Sequence, residues 1–164
     1  MRIGVNENPI LKTASENIGE SLKVSIAGHG ASTMIEIFGY ERPSAENEAD
    51  ANWLKCRVTI SAAEINGSFH AEFRTHEFAR FRDALKPVLI RLGGEATFET
   101  IERELECKIE LTGTGGAHVH TVAKTRGMVA WEILFSYESD QSFLAESLRE
   151  LEAIIAKYPV RKCA

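Results

Sequence analysis

Residues 50–82 constrain the fold more than any other part of this sequence. Apolar and polar side chains alternate over residues 53–62 and again over residues 69–74, which is the period of a strand with one buried face. Asn66-Gly67 lies between the two stretches, and this pair suits a two-residue type I′ turn because both central positions need positive φ. The pattern therefore predicts a β-hairpin.

A turn at Asn66-Gly67 also predicts a register for the hairpin. Counting outward from the turn places Ile60 opposite Phe73 and Ala62 opposite Ala71. Apolar side chains then meet on one face of the hairpin and polar side chains meet on the other. We expect the apolar face to pack against a core.

An amphipathic helix is predicted over residues 76–92, directly after the hairpin. Thr75 is the expected N-cap, and Gly93-Gly94 is expected to end the helix. Pro87 should kink or split it near Lys86, because proline lacks the N–H that the helix needs. The apolar residues that recur at helical spacing are Phe78, Phe81, Leu85, Val88 and Leu92.

The remaining chain predicts more strands and one more helix. A first hairpin is expected around Gly28-His29-Gly30, followed by an acidic surface loop over residues 41–49. An amphipathic helix over residues 140–157 is expected to be capped by Ser139 or Asp140. The strands are expected near residues 22–26, 34–40, 95–100, 103–111, 117–123 and 128–137.

This order of elements predicts an α+β fold, with a mostly antiparallel sheet of about seven or eight strands and two amphipathic helices on one side of it. Because strands and helices do not alternate, a parallel sheet is not expected. We expect residues 31–164 to form a single α+β domain. Residues 1–30 are expected to be an N-terminal extension with a possible first strand.

Composition narrows the classes of function. The net charge of −5 disfavours nucleic acid as a partner, because that binding relies on Lys and Arg at phosphates. No apolar run reaches the ~20 residues of a membrane helix, and the first residues do not resemble a secretory signal, so we expect a cytoplasmic protein. Three cysteines without CxxC spacing do not suggest a disulfide framework, and Cys56 and Cys107 are expected to be buried.

His118 and His120 are the best candidates for metal ligands, since residues two apart on a strand share a face. A catalytic zinc site usually needs a third protein ligand, which would have to be His70 or His29. The hairpin expected at residues 112–116 would also place Lys108 opposite His120 and Glu110 opposite His118, and a cation there disfavours a metal. We therefore expect no cofactor, with a metal site at His118 and His120 as the weaker alternative.

No catalytic motif is recognisable. The Gly-rich run at residues 112–116 lacks the Lys-Ser/Thr pair and the following helix of a phosphate-binding loop. A GxSxG nucleophile elbow is also missing. We therefore expect no catalytic residues.

Four glutamates form the densest charged pattern in the chain. Glu104, Glu106 and Glu110 are expected on the outer face of one strand, with Glu102 just before it. Like charges at successive positions of one face repel each other, so such a stripe can serve a positively charged partner. It can equally be a face that keeps the protein soluble.

Short motifs along the chain resemble the WapI-type family of bacterial immunity proteins, and the resemblance covers about residues 34–160. It implies a cytosolic protein that binds and neutralises the toxic C-terminal domain of a larger toxin, without catalytic residues of its own. Asp50, Trp53 and Asp140 are expected to have structural roles. The motif residues are Ile37-Phe38-Gly39-Tyr40 with Pro43; Asp50-Ala51-Asn52-Trp53-Leu54; Phe73, Thr75, Phe78 and Phe81-Arg82; Gly94-Glu95-Ala96, Phe98 and Thr100; Asp140-Gln141-Ser142-Phe143-Leu144; and Tyr158-Pro159-Val160.

The first hypothesis is therefore an immunity protein that binds a cognate toxin domain, expected to be a basic nuclease, through the acidic stripe. One alternative is an enzyme that binds a metal or a small molecule through His118 and His120. Another is an adaptor that dimerises through an open sheet edge. The stripe residues offered for partner binding are Glu102, Glu104, Glu106 and Glu110.

Overall fold

The computed structural model of the protein describes residues 21–162. Eight strands and three helices lie in this part of the chain, and two of the helices are long. The elements in chain order are β1 (Leu22–Gly28), β2 (Ala31–Tyr40), α1 (Glu48–Ala51), β3 (Trp53–Ala62), β4 (Ile65–Arg74), α2 (Thr75–Arg91), β5 (Gly94–Glu99), β6 (Leu105–Leu111), β7 (Gly116–Thr125), β8 (Trp131–Asp140) and α3 (Gln141–Lys157).

The strands form two antiparallel sheets rather than one. The first sheet has the order β1-β2-β3-β4 and the second has the order β5-β6-β7-β8. Each sheet is a meander of sequence neighbours, and α2 separates the two in the chain. The α+β fold class, the antiparallel pairing of eight strands and the two long helices are confirmed, and the structure adds that the strands are divided between two sheets.

The two sheets and two helices enclose one core. The hydroxyls of Thr33 on β2 and Thr121 on β7 lie 3.4 Å apart, and both residues are fully buried. The rings of Phe73 on β4 and Phe98 on β5 also meet, at a centroid distance of 5.9 Å. Helix α2 packs on β5 and on α3, and α3 packs on β1. The inner faces of both sheets therefore contribute to the same hydrophobic interior.

The alternation of buried and exposed residues in the sheets follows the sequence pattern. In β3, the inward residues Leu54, Cys56, Val58 and Ile60 are all buried. Cys56 and Cys107 are buried as expected, and burial raises the pKa of both thiols, to about 12 for Cys107. Cys163 lies outside the described residues.

The turn of the β3–β4 hairpin differs from the prediction. Ala62 pairs with Ile65, so the two-residue turn is Ala63-Glu64, and Asn66-Gly67 lies within β4. Phe73 consequently lies opposite Leu54 instead of Ile60, and Ala71 lies opposite Cys56 instead of Ala62. The shift is an even number of residues, so every side chain keeps the predicted face.

Contacts at the open end of the hairpin account for this register. The backbone carbonyl of Asn52 accepts hydrogen bonds from the Thr75 backbone N–H at 3.0 Å and from the Thr75 hydroxyl at 3.3 Å. Asn52 and Thr75 directly precede β3 and follow β4, so this contact sets which residues of the two strands face each other. The hydrogen bonds between Asn52 and Thr75 thus override the local preference of Asn66-Gly67 for a turn.

The ends of the long helices also refine the predictions. Helix α2 begins at Thr75 itself, so Thr75 is not the N-cap, and the Glu77 carboxylate accepts from the Arg74 backbone N–H at 2.8 Å. Pro87 lies inside a single helix and does not split it. Asp140 caps α3 as expected, since its Oδ1 accepts from the backbone N–H of Ser142 at 2.7 Å and of Phe143 at 3.3 Å.

Three further expectations concern the loop, the terminus and membranes. The loop over residues 41–49 leads into the short helix α1, which Asn47 caps by accepting from the Asp50 N–H at 2.8 Å. Residues 1–20 of the expected extension lie outside the described part, whereas β1 pairs along its length with β2. None of the helices described is long and apolar enough to cross a membrane.

Candidate partner-binding surface

The outer face of the second sheet carries most of the exposed acidic groups that the strands place together. Along each strand of this sheet, outward residues alternate with buried ones such as Phe98 and Ile109. We call this surface the acidic sheet face. Its glutamates are Glu95, Glu99, Glu106, Glu110, Glu132 and Glu138.

Few positive charges balance these six glutamates. Lys108 and Lys124 are the lysines that the described strands place on this face. Two apolar residues lie among the charges, because Val122 on β7 pairs with Leu134 on β8, and Leu134 is 59% exposed. The face therefore combines an excess of negative charge with a small apolar centre.

Antiparallel pairing brings carboxylates directly opposite each other on this face. Glu95 lies opposite Glu110, and Lys108 neutralises both, with its Nζ 3.3 Å from Glu95 and 2.8 Å from Glu110. Lys108 accordingly lowers the pKa of Glu110 below its usual value. Glu99 lies opposite Glu106, and neither forms an ion pair within residues 21–162.

Glu102 and Glu104 do not share this face in the way the sequence predicted. Both precede β6, which begins at Leu105, and they line a groove of about 890 Å³ on the outer side of the first sheet. Glu72 of β4 lines the same groove. Burial, followed by the charges of Glu102 and Glu72, raises the pKa of Glu104. The predicted stripe is thus divided between two surfaces.

The groove itself has mixed charge, because positive side chains line its other side. These side chains are already in ion pairs. The Lys55 ammonium lies 3.4 Å from the Glu41 carboxylate, and Arg57 Nε lies 3.4 Å from the Glu36 carboxylate. The Arg57 guanidinium also lies 5.0 Å from the ring centroid of Phe38, which is 44% exposed. The groove therefore offers polar and aromatic contacts but no single dominant charge.

The histidine pair is arranged as the register predicted, with His118 opposite Glu110 and His120 opposite Lys108. His118 Nδ1 lies 3.0 Å from Glu138 Oε1, and His120 Nδ1 lies 2.8 Å from the Ser136 hydroxyl. Both contacts are cross-strand pairs on an exposed surface.

A third metal ligand is not brought to this pair. His70 lies on β4 of the other sheet, and His29 lies in the β1–β2 turn, with its Nε2 3.7 Å from Asp140. In the part of the chain that the structure describes, no three His, Cys, Asp or Glu side chains are grouped so that they could hold a metal ion. The geometry therefore gives no support to the metal-site alternative.

Most of this chain matches a known protein family. The immunity protein WapI-like family matches residues 24–159, which is most of the chain and nearly all of both sheets. The chain belongs to this family. No curated protein matches the WapI-like chain. Membership in an immunity protein family supports a toxin-neutralising role, with a toxin protein as the partner and binding rather than catalysis as the activity.

Two of the motifs that suggested the family meet in space in this WapI-like chain. The Tyr40 hydroxyl donates to the Pro159 carbonyl at 2.8 Å, and the rings of Tyr40 and Tyr158 pack edge to face at 5.5 Å. These contacts fasten the chain after α3 to the end of β2. These two motifs therefore belong to the scaffold.

Sequence reasoning missed four of the six glutamates on the acidic sheet face. Alternation within β5 would have placed two of them outward, because Ala96 and Phe98 between them are buried. The other two needed the pairing of β8 with β7, which is a long-range feature. The missed residues are Glu95, Glu99, Glu132 and Glu138.

Proposed function

We propose that this chain is a cytoplasmic, non-enzymatic immunity protein that binds and neutralises a cognate toxin domain, a basic nuclease, through the acidic sheet face. The observation that carries the proposal is the collection of six glutamates on one solvent-facing sheet surface beside two lysines. Membership in the WapI-like immunity family supports the toxin-neutralising role. A nuclease suits the surface because nucleases bind phosphates with Lys and Arg, which are complementary to carboxylates.

The pairing of Glu99 with Glu106 favours a binding role over solubility alone. Like charges placed directly opposite each other destabilise a sheet, and no ion pair within residues 21–162 relieves this pair. A cation from a partner would remove the repulsion on binding. Lys108 has this effect on the neighbouring pair of Glu95 and Glu110.

The apolar centre of the acidic sheet face is a surface that a partner could bury on binding. Val122 and Leu134 lie next to Glu106 in the register, and protein interfaces commonly surround such a centre with polar groups. Charge complementarity would then speed association, while burial of these side chains would slow dissociation.

Co-expression with the cognate toxin domain tests the function. We expect growth to be restored and a complex to copurify. Continued growth arrest without a copurified complex would contradict the proposal.

The surface is tested separately, with the purified complex. Replacing Glu106 and Glu110 by Gln should slow association and weaken its dependence on ionic strength, since fewer charges attract the partner. Glu46→Gln and Glu64→Gln, in exposed loops away from this face, are matched controls that remove the same charge. A complex that forms normally with the face variants would keep the immunity function but reject this surface.

A further inference from the structure

A second surface has the opposite charge. A cleft of about 500 Å³ lies between the end of β4, the first turns of α2 and the loop that joins β5 to β6. Four basic side chains from these elements converge on it, although the chain as a whole is acidic. The basic residues that line the cleft are Arg74, His76, Arg80 and Arg103.

The arginines of this cleft are not used in ion pairs. Within residues 21–162, Arg74, Arg80 and Arg103 have no carboxylate within ion-pair distance, whereas Arg42 and Arg57 each have one. Arg74 Nε is also buried without a hydrogen-bond partner among the described residues. Such an N–H group has lost its hydrogen bond to water without gaining a partner in the protein, which is unfavourable in the free protein.

The two acidic residues of the cleft offset this positive charge only in part, because three arginines outnumber them. The Glu77 carboxylate is occupied by the backbone, since Oε2 accepts from the Arg74 N–H and Oε1 accepts from the Ile101 N–H, both at 2.8 Å. Glu99 is the other acidic residue that lines the cleft. His76 has a lowered pKa, caused first by burial and then by the charge of Arg74, which agrees with positive surroundings.

We propose that this cleft binds an acidic peptide segment, whose carboxylates pair with the guanidinium groups of Arg74, Arg80 and Arg103. Guanidinium groups suit carboxylates because their planar arrangement of donors matches the two carboxylate oxygens. Ile101 decides between a peptide and a free inorganic anion. It lines the cleft and is 57% exposed, so a peptide with an apolar side chain would cover it and a phosphate ion would not.

The test is a calorimetric titration of the folded full chain with a capped peptide of sequence Glu-Glu-Leu-Glu-Glu, and in parallel with inorganic phosphate. We expect the peptide to bind. Arg80→Ala and Arg103→Ala should each weaken binding about threefold to fivefold, as for loss of a partly exposed ion pair. Glu99→Gln should strengthen it, because it removes a competing carboxylate.

The control is Arg91→Ala, which removes an exposed arginine from the last turn of the same helix and should leave peptide affinity unchanged. Ile101→Ser distinguishes the two kinds of ligand, since it should weaken binding of the peptide and leave binding of an inorganic anion unchanged. Circular dichroism of each variant shows whether it is folded.

The proposal is overturned if the peptide does not bind, if Arg91→Ala weakens it as much as Arg80→Ala does, or if phosphate competes fully and Ile101→Ser has no effect. The inference does not depend on the toxin-binding proposal, because the probe is a peptide and Arg80, Ile101 and Arg103 do not belong to the acidic sheet face. Either proposal can therefore fail alone.

Discussion

The side-chain amide of Asn52 pairs with the backbone of Arg161 through two hydrogen bonds. Asn52 Nδ2 donates to the Arg161 carbonyl at 2.9 Å, and Asn52 Oδ1 accepts from the Arg161 N–H at 2.7 Å. The same Nδ2 donates to the Glu48 carbonyl at 2.9 Å. The Asn52 backbone carbonyl accepts a hydrogen bond from the Thr75 backbone N–H. One fully buried residue therefore joins α1, the start of β3, the start of α2 and the C-terminal segment, the contact with α2 being made by its backbone carbonyl.

Asn52→Ala is expected to destabilise the protein by about 3 kcal/mol, because it removes the three hydrogen bonds that this fully buried side chain makes with the backbone of Arg161 and Glu48. Urea unfolding measures the change in the free energy of unfolding. Asn66→Ala, at an exposed position of β4, is the matched control and should change it by less than about 0.5 kcal/mol. Equal effects of the two substitutions would contradict the central role of Asn52.

Gly28→Ala is expected to destabilise the protein by about 2–3 kcal/mol through overpacking. A Cβ at Gly28 would lie 2.2 Å from the Glu138 carbonyl oxygen, where β1 passes β8 and the His29 N–H donates to the same oxygen at 2.8 Å. Thermal unfolding measures the loss. Gly113→Ala, where a Cβ meets open space, is the control. An unchanged melting temperature for Gly28→Ala would show that β1 and β8 are not in such close contact.

Gly67→Ala tests the position of the hairpin turn. Gly67 lies within β4, does not have a positive φ, and leaves open space for a Cβ. Alanine there should stabilise the protein slightly, by about 0.5 kcal/mol, because it restricts the unfolded chain. A type I′ turn at Asn66-Gly67 would need positive φ at Gly67, so alanine would instead destabilise the protein by a similar or larger amount. Chemical unfolding distinguishes the two signs.

The raised pKa of Glu77 should be visible in the pH dependence of the free energy of unfolding. Burial raises the pKa of this carboxyl group above its ordinary value of 4.5, although hydrogen bonds from the Ile101 and Arg74 backbone N–H groups oppose the shift. A raised pKa means that the folded state binds the proton more tightly, so this contribution to stability is complete below pH 4.5 and is lost as pH rises through the folded-state pKa.

The measurement compares the wild type with Glu77→Gln from low to neutral pH. The stability advantage of the wild type over this variant should shrink as pH rises. A difference that stays constant, or that grows with pH, would show that the carboxyl pKa is not raised. Glu64→Gln, at an exposed turn position, should show no such trend.

Glu106→Gln should separate stability from binding. Removing one of the two opposed carboxylates should stabilise the free protein by about 0.3 kcal/mol, because like charges across strands repel. The same change should slow association with the toxin domain at low salt. Unfolding and stopped-flow association measure the two effects. A variant that gains stability and associates at the normal rate would indicate that this face serves solubility.

Most of the local structure could be predicted because it depends on neighbouring residues. Alternation identified which face of β3 is buried, and Asp140 was recognisable as the cap of α3 because an N-cap acts over two or three residues. The β6–β7 register was also predictable, since its Gly-rich loop and its apolar pattern agree. The site was predicted in part, as Glu106 and Glu110 lie on the acidic sheet face while Glu102 and Glu104 line a groove elsewhere.

The sequence by itself determined the fold class, the two long helices and the buried face of each strand, because these follow from periodicity, capping and burial over short stretches. Only the tertiary structure decided the turn at Ala63-Glu64, the division into two sheets and the grouping of charges on surfaces. The physical reason is that alternation specifies a face and not a partner. The Asn52–Thr75 contact chose among registers that local patterning left equivalent, and it overrode the Asn66-Gly67 turn signal.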